Sequence, residues 1–327
     1  MTQSYTISLL FASVLLYPRI LLPFPQISVD ICLSVGHNTK KGFDFPPFLP
    51  YNDKELPLED TMIHPQIVQH MKLFLLDMDG TLCRGDRLYD FTIPLLRRIR
   101  ETGGRYLFLT NNSSLGVEDQ IRRLKKLGIL STREDFLTAA QATARYLQQN
   151  HPGKRLYVCG TLSLKRELCG AGFEVVEEPD RAECLLMGFD RELTFRKLRD
   201  VCRLLQTRDI PYLATNPDIV CPTEFGFVPN CGSICDMLFH VTNKRPLFIG
   251  KPDPLMPRMA MERLDVAPSD TCCIGDQLST DIRCGLSAGI TTMLVLSGVT
   301  TREHLVSSPI RPHFVLKDAG EVLAALQ

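Results

Sequence analysis

The sequence has no excess of charge of either sign. Of its 327 residues, 37 are lysine or arginine and 37 are aspartate or glutamate, so the formal net charge is zero. Proteins that bind nucleic acid or an anionic membrane through electrostatics carry a basic excess or a basic patch. The basic run at residues 122–126 lies in a segment typical of an amphipathic helix, and we interpret it as the solvated face of that helix. We therefore expect neither nucleic acid nor a membrane as the partner.

The chain also lacks an uninterrupted apolar run long enough to span a bilayer. The apolar stretch at residues 7–17 ends at Pro18, and no lysine or arginine precedes it as a secretory signal requires. We expect residues 1–70 to form an irregular, dispensable extension, with Met62 or Met71 as the real start. An unusual membrane anchor is the alternative interpretation.

Zinc-site patterns are sparse as well. The seven histidines are scattered, and Cys231 and Cys235 are the only C-x(3)-C pair among twelve cysteines, with no second pair nearby. Cysteines such as Cys272 and Cys273 lie within apolar runs, where a reduced thiol behaves as a small apolar side chain. This placement predicts a reducing, cytoplasmic location.

The most informative segment is an apolar run that ends in two carboxylates. Residues 73–76 read Leu-Phe-Leu-Leu and are followed by Asp77, Asp79 and Gly80. Such a run predicts a strand buried on both faces of a parallel sheet, and chemistry collects beyond the carboxyl ends of these strands. Two acids this close repel one another unless a cation lies between them.

Three further apolar segments end in polar residues. Residues 106–109 lead to Thr110, Asn111 and Asn112; residues 247–250 lead to Lys251; and residues 271–275 lead to Asp276, with Asp281 five residues later. We expect these strand ends to meet at one sheet edge. Taken singly, Thr110 can be a helix cap, Lys251 a solvated lysine and Asp281 a first-turn acid. The four segments together favour a catalytic site.

Strands and helices alternate along the rest of the chain, as a parallel α/β sheet requires. Residues 155–159, 184–187 and 212–214 predict a second set of strands, and residues 194–206 predict a helix between them. The turn after residue 214 contains Asn216 and Asp218, which either contact a substrate or stabilise the turn itself.

The ordered motifs D-x-D-G-T, T-N-N, K-P and G-D-x(4)-D resemble those of the haloacid dehalogenase superfamily. They are most similar to its branch of p-nitrophenyl-phosphatase-like, phosphoglycolate-phosphatase-like and sugar-phosphate phosphatases, which inserts a large α/β cap between the second and third motifs. The resemblance implies an α/β fold with a Rossmann-like parallel-sheet core at residues 71–150 and 246–327. It places an α/β cap domain at residues 151–245.

The resemblance also implies an activity and a role for each residue. The expected reaction is Mg²⁺-dependent hydrolysis of a small phosphorylated metabolite (a sugar phosphate, phosphoglycolate, a polyol phosphate or a nucleotide) through an aspartyl-phosphate. Asp77 would be the nucleophile and Asp79 the general acid and base, while Thr110 and Lys251 would stabilise the phosphoryl oxygens. Asp77, the backbone carbonyl of Asp79 and Asp276 would hold Mg²⁺, with Asp281 in support. The expected substrate contacts are Asn111, Asn112, Asn216 and Asp218.

Two residues depart from the pattern of that branch: Cys83 stands where related phosphatases often carry an aromatic residue, and Gln277 replaces an arginine that is common there. The departure at Cys83 puts in doubt contacts between this flap and the leaving group, whereas we expect the one at Gln277 to have little effect. A phosphoacceptor signalling domain and a catalytically inactive binding protein remain as alternatives. Caps in this family also form dimer surfaces, so a homo-oligomer is a further expectation.

Overall fold

The computed structural model of the protein describes residues 63–223 and 225–327. Most of the predicted extension, including the alternative start at Met62 and the alternative membrane anchor, lies outside the described residues. The described end of the extension is helical at residues 65–70, so the prediction of an irregular segment is wrong there. The helix forms because the Val68 side chain is buried in the core, and Gln69 Nε2 donates a hydrogen bond to the Ala325 carbonyl oxygen at 3.3 Å.

The helices and strands are numbered in chain order within the described ranges. The helices are α1 (Pro65–His70), α2 (Thr92–Glu101), α3 (Val117–Lys126), α4 (Ala139–Asn150), α5 (Leu162–Gly170), α6 (Phe195–Thr207), α7 (Cys231–Thr242), α8 (Leu255–Leu264), α9 (Arg283–Ala288), α10 (Arg302–Ser307) and α11 (Gly320–Leu326). The strands are β1 (Leu73–Leu76), β2 (Cys83–Arg84), β3 (Arg87–Leu88), β4 (Arg105–Thr110), β5 (Phe136–Thr138), β6 (Leu156–Cys159), β7 (Val175–Val176), β8 (Cys184–Met187), β9 (Tyr212–Ala214), β10 (Val220–Thr223), β11 (Gly226–Pro229), β12 (Leu247–Phe248), β13 (Thr271–Gly275), β14 (Thr291–Val295) and β15 (Phe314–Leu316). In the described part of the chain, no helix combines the length and the apolar character that crossing a membrane requires.

A six-stranded parallel sheet forms the core, in the order β15-β14-β13-β1-β4-β5. Strand β1 is central and buried along its whole length, as its unbroken apolar run predicts. Phe74 and Leu76 pack into the hydrophobic cluster on one face, and Leu73 and Leu75 pack into the cluster on the other. The predicted α/β class with a Rossmann-like parallel-sheet core is confirmed.

A second parallel sheet is inserted between β5 and β13, in the order β12-β9-β8-β6-β7. The prediction of an inserted α/β unit is thereby confirmed. Strand β12 was expected to join the core sheet with the other strands that lead to site residues, and this expectation is wrong. Leu247 and Phe248 instead pair with Leu213 and Ala214 at the edge of the inserted sheet. Lys251 therefore reaches the site from the inserted unit rather than from the core sheet.

Helix α4 lies between the two sheets and packs against both. Its Ala142 belongs to a core-sheet cluster, whereas Ala140 and Leu147 belong to a cluster of the inserted unit. The helix begins in a capping box, in which Thr138 Oγ1 accepts a hydrogen bond from the Gln141 backbone N–H at 3.1 Å. Apolar residues on both faces thus let one helix fix the position of the insert.

The cysteines predicted to be small apolar core residues are buried with free thiols. They are Cys159, Cys184, Cys272 and Cys273, whereas Cys202, for which we expected the same, is only half-buried. Burial raises the pKa of the Cys184 thiol to about 12, so this thiol remains protonated near neutral pH.

Candidate active site

Three adjacent core strands deliver polar residues to one edge of the sheet. Asp77 follows β1, Thr110 is the last residue of β4, and Asp276 follows β13. Because β13, β1 and β4 are parallel neighbours, their carboxyl ends bring these residues together. The backbone N–H of Asp77 extends the ladder by donating to the Ile274 carbonyl oxygen at 2.9 Å.

Lys251 is the buried cation of the site, and its side chain is only 3% exposed. Its Nζ donates to Asp77 Oδ1 at 2.7 Å, Asp281 Oδ1 at 2.6 Å and the Leu109 carbonyl oxygen at 3.0 Å. Burial alone would lower the pKa of Lys251, but the carboxylates of Asp281 and Asp77 raise it well above its usual value. All three ammonium hydrogens are therefore used, and the charge is fixed beside Asp77.

Asp77, Asp276 and Asp281 form an acid cluster whose oxygen atoms lie within 4.8 Å of one another. Burial raises the pKa of Asp77 well above its usual range, and the Lys251 ammonium opposes this shift. Burial, together with the Asp281 carboxylate, raises the pKa of Asp276 to about 7. Burial is the largest cause of both shifts, and the neighbouring carboxylates of the cluster add to them.

The acid cluster fits a divalent cation. Three carboxylates face one ammonium, and the buried Asp276 Oδ1 has no hydrogen-bond partner among the described residues. Asp276 Oδ2 is held by the Val299 backbone N–H at 2.6 Å, which directs the other oxygen into the cluster. Hard carboxylate oxygens are the ligands that Mg²⁺ and Ca²⁺ prefer. Among the described residues, this is the group of acids, histidines and cysteines that could hold a metal ion.

Glycines make room for the acid cluster on three sides. A Cβ on Gly275 would lie 2.3 Å from Asp281 Cβ, and a Cβ on Gly298 would lie 2.0 Å from Asp276 Oδ2. Gly80 has a φ of 94°, and a Cβ there would lie 2.4 Å from Asp276 Oδ2. The glycine of D-x-D-G-T is therefore required both for its backbone conformation and for the close approach of the carboxylate.

Asp79 lies at the base of a small flap. The Gly80 backbone N–H donates to the Cys83 carbonyl oxygen at 2.7 Å, and β2 and β3 then pair as an antiparallel hairpin. The Asp79 side chain is 40% exposed, far more than that of Asp77, and lies beside the same cavity. Its Oδ1 accepts a hydrogen bond from Arg123 Nη2 at 2.8 Å.

The contact with Arg123 was missed at the level of sequence. We interpreted residues 122–126 as a solvated helix face, and for Arg123 this interpretation is wrong because its side chain is only 17% exposed. Arg122, by contrast, is 66% exposed and pairs with Asp119 on its own helix. The charge pattern alone does not show which of the two arginines is buried. The position of the flap beside α3 determines that Arg123 is buried and Arg122 is exposed.

Thr110 and Asn112 face the cavity from the end of β4. Thr110 Oγ1 accepts the Asn112 backbone N–H at 3.1 Å, which leaves its hydroxyl hydrogen available as a donor. Asn112 Oδ1 accepts from the Ser114 backbone N–H at 3.0 Å and from the Ser114 hydroxyl at 2.7 Å, which fixes the side-chain amide. The helix-cap alternative for Thr110 does not describe this turn.

Asn111 and Asn216, both expected to contact a substrate, are engaged by the protein itself. Asn111 Nδ2 donates to Asp218 Oδ1 at 3.1 Å and to the Lys251 carbonyl oxygen at 3.0 Å, and its Oδ1 accepts from the Lys251 backbone N–H at 2.9 Å. Asn216 is fully buried and donates to the Asn111 carbonyl oxygen at 3.0 Å and to Asp218 Oδ2 at 2.9 Å. These bonds join the insert to the core at the site. The turn-stabilising alternative describes Asn216 better than substrate contact does.

Asp218 lines the cavity as well as receiving those bonds. Burial raises its pKa, and the Lys251 charge and the amides of Asn111 and Asn216 oppose the shift. Of the two cap residues predicted to contact a substrate, Asp218 is therefore the one that faces the cavity.

A cavity of about 70 Å³ joins these residues. Asp77, Asp79, Thr110 and Lys251 lie on its core side. Val220, Cys221 and Pro222 of the antiparallel β10–β11 hairpin line it from the inserted unit. Strands this short, with a proline in each, give little sequence signal.

Comparison with known proteins identifies the family. Models described as haloacid dehalogenase-like hydrolase and HAD-hydrolase-like match residues 74–174 and 248–322. The acid sugar phosphatase of Staphylococcus saprophyticus is 31% identical over 260 residues, which cover 80% of this chain and 100% of that protein.

Solved structures agree with this assignment. The crystal structure of 4-nitrophenylphosphatase from Thermotoga maritima matches with a TM-score of 0.76 and 35% identity, covering 80% of this chain and 99% of the other. Glycerol phosphate phosphatase from Mycobacterium tuberculosis, in complex with magnesium, matches with a TM-score of 0.72 and 29% identity, covering 80% and 78%. The chain therefore belongs to the haloacid dehalogenase-like hydrolases, as a capped phosphatase (a phosphoric monoester hydrolase) of that superfamily.

Proposed function

We propose that the protein is a Mg²⁺-dependent phosphatase that hydrolyses a small phosphorylated metabolite through an aspartyl-phosphate. The observation that carries this proposal is the position of Asp77. Its carboxylate belongs to the acid cluster, accepts a hydrogen bond from the Lys251 ammonium, and borders the cavity that Asp79 and Thr110 also line. A nucleophile, an acid and base, and positive charge are thus available at one point.

In the proposed reaction, an oxygen of Asp77 attacks phosphorus and the bond from phosphorus to the leaving oxygen breaks. Asp79 donates its proton to that oxygen, so an alcohol departs. Asp79 then takes a proton from water as the water oxygen attacks phosphorus. The bond from phosphorus to Asp77 breaks, which releases phosphate and restores both carboxyl groups. The greater exposure of Asp79 suits a group that exchanges protons with water.

Two protein groups would stabilise the transferred phosphoryl group. The free hydroxyl hydrogen of Thr110 is directed by its acceptor bond from the Asn112 N–H. Lys251 holds the nucleophile and places positive charge next to the reacting atoms. Asn112 and Asp218 line the cavity and are the proposed substrate contacts. Asn111 also lines the cavity and is a further proposed substrate contact, and together with Asn216 it makes the bonds that join the insert to the core.

The proposed metal is Mg²⁺, held by Asp77, Asp276 and the backbone carbonyl of Asp79. Bound there, it would neutralise the excess carboxylate charge and polarise the phosphoryl oxygens. Asp281 Oδ1 is bonded to Lys251, and its Oδ2 accepts the Gln277 backbone N–H at 3.1 Å. These bonds support the expected role of Asp281 in orienting other groups. The magnesium complex of the related glycerol phosphate phosphatase supports the choice of metal.

The proposed substrate is small because the cavity is small. The cavity has a volume of about 70 Å³, and Val220, Cys221 and Pro222 of the β10–β11 hairpin line it from the inserted unit. The names of the relatives, acid sugar phosphatase and glycerol phosphate phosphatase, favour a sugar or polyol phosphate, with phosphoglycolate and nucleotides as further candidates. We also propose the predicted domain division at residues 71–150, 151–245 and 246–327, except that Leu247–Phe248 belongs to the inserted sheet, so the second part of the core begins after Phe248.

The alternatives are a phosphoacceptor domain and an inactive binding protein. Asp79 favours the phosphatase over both, since a stable phosphoacceptor has no use for an acid and base beside its nucleophile. A panel of phosphorylated sugars, polyols, glycolate and nucleotides, with release of phosphate as the readout, tests the proposal. We expect turnover of at least one compound with Mg²⁺ and none by Asp77→Asn. Stoichiometric phosphorylation without turnover would instead favour the phosphoacceptor, and no reaction would favour the binding protein.

A further inference from the structure

Arg123 joins three parts of the molecule that are separate in sequence. It lies on α3, which begins directly after the Thr110–Ser114 segment, and its side chain crosses to the flap. Nη2 donates to Asp79 Oδ1 at 2.8 Å and to the Gly85 carbonyl oxygen at 2.7 Å, and Nε lies 3.5 Å from Asp86 Oδ1. One guanidinium thus holds both the carboxylate beside the nucleophile and the tip of the hairpin.

The flap is also attached on its other side. Tyr89 Oη donates to the Ser297 carbonyl oxygen at 3.0 Å, and Ser297 Oγ donates to the Gly80 carbonyl oxygen at 2.7 Å. These bonds fix the main chain at the base of the flap. They do not fix the Asp79 side chain, which is 40% exposed. Besides Arg123, the side chain that donates to this carboxylate is the weak donor Cys83 Sγ, at 3.5 Å.

We infer that Arg123 is a positioning residue that orients the Asp79 carboxyl group toward the leaving group and holds the flap over it. The guanidinium occupies one oxygen of Asp79 and leaves the other for proton transfer. The planar fork of arginine donates in fixed directions, so it can serve Asp79 and Gly85 at the same time, which the point charge of lysine does less well. This inference rests on the proposed function, because it assigns a role within that reaction.

The leaving group provides a test that a merely structural role would not affect. An alkoxide needs a proton as it departs, whereas p-nitrophenolate is stable without one. Asp79 also acts as the base in hydrolysis of the aspartyl-phosphate, a step that both substrates share, so the comparison uses kcat/KM, which reports the steps up to departure of the leaving group. Loss of acid positioning therefore lowers kcat/KM for an alkyl phosphate more than for p-nitrophenyl phosphate. A general loss of folded protein slows both equally and leaves the ratio of the two rates unchanged.

The experiment compares Arg123→Met with Arg122→Met, which removes the neighbouring, exposed arginine from the same helix. For glycerol phosphate, or the best alkyl phosphate of the panel, we expect kcat/KM of Arg123→Met to fall about 10- to 100-fold. For p-nitrophenyl phosphate the expected fall is below about 5-fold. Arg122→Met should stay within about 2-fold for both substrates. Arg123→Lys should lie between Arg123→Met and the wild type.

A double-mutant cycle tests whether Arg123 acts through Asp79. In an Asp79→Asn background, Arg123→Met should cost less than about 2-fold in kcat, because the group that it positions is already gone. Equal losses for the two substrates, or full losses that add to those of Asp79→Asn, would overturn the inference. If Arg123→Met does not fold, the rate ratio of Arg123→Lys decides in its place. A wild-type protein that hydrolyses neither substrate would refute the proposed function instead.

Discussion

A methyl group added at Gly298 provides the sharpest test of the acid cluster. A Cβ at this position would lie 2.0 Å from Asp276 Oδ2 and 2.5 Å from Asp276 Cγ. Contacts of Cβ atoms below 3.0 Å do not occur, so the carboxylate or the loop must move by about 1 Å or more. Asp276 cannot simply rotate away, because its Oδ2 is held by the Val299 N–H at 2.6 Å and its side chain is fully buried.

For Gly298→Ala we therefore expect a fall of about 10²-fold in kcat/KM with p-nitrophenyl phosphate, since a displacement of 1 Å at a catalytic site has an effect of this size. The Mg²⁺ concentration for half-maximal activity should rise by about 10- to 100-fold if Asp276 is a ligand. The free energy of unfolding should fall by only about 1–3 kcal/mol, the usual cost of one overpacked methyl group. Steady-state kinetics over a range of Mg²⁺ concentrations, with urea unfolding alongside, measure all three quantities.

Gly170→Ala is the matched control, because a Cβ at this position meets no atom within 4 Å. We expect its kinetics and Mg²⁺ dependence to equal those of the wild type. If Gly298→Ala keeps the wild-type kcat/KM and the wild-type Mg²⁺ dependence, the geometry of Asp276 does not govern activity and the proposed metal role is refuted.

Further outcomes follow from the same site. Asp77→Asn should lower kcat for p-nitrophenyl phosphate by more than about 10⁴-fold with an unchanged circular dichroism spectrum. Substantial turnover by this variant would mean that another group is the nucleophile. Asp79→Asn should lower kcat by about 10²- to 10⁴-fold. EDTA should abolish turnover and added Mg²⁺ should restore it, so activity that persists after dialysis against EDTA would exclude the metal. Lys251→Met should lower the free energy of unfolding in Mg²⁺-free buffer by about 3–5 kcal/mol, because Asp77 and Asp281 lose their buried partner. Lys72→Met, which removes an ion pair whose lysine is 65% exposed, should cost less than about 1 kcal/mol and serves as its control.

The strands of the core were predictable because each is a short apolar run that ends abruptly. Burial on both faces requires such runs at β1, β4 and β13, and the parallel arrangement then places their carboxyl ends at one edge. The helix predicted over residues 194–206 was also close, because the structure has α6 at Phe195–Thr207. In these elements the decisive interactions are burial and local hydrogen bonding, which a periodic pattern expresses directly.

The strand before Lys251 shows where this reasoning fails. Its apolar residues specify a strand but not the sheet that accepts it, and both sheets have a free edge with similar backbone groups. Pairing with β9 is a long-range choice, fixed by the packing of the insert on α4 and by the bonds of Gly250 and Lys251 to Thr215 and Asn111. The residue reaches the predicted site, but by a different route.

The sequence by itself determined which chemical groups lie at the sheet edge. Asp77, Thr110 and Asp276 each stand at the carboxyl end of a buried apolar strand, and parallel strands bring these ends together at one edge. Only the tertiary structure decided which neighbours those groups meet. The amphipathic pattern of α3 says which side of the helix is polar, but it cannot say that Arg123 lies beneath the flap while Arg122 faces water. Likewise, tertiary packing decides that Asn111 and Asn216 form hydrogen bonds between the insert and the core, and that residues of the β10–β11 hairpin line the cavity. The hydrogen-bond partners of these polar side chains are distant in sequence, so a local sequence pattern does not predict them.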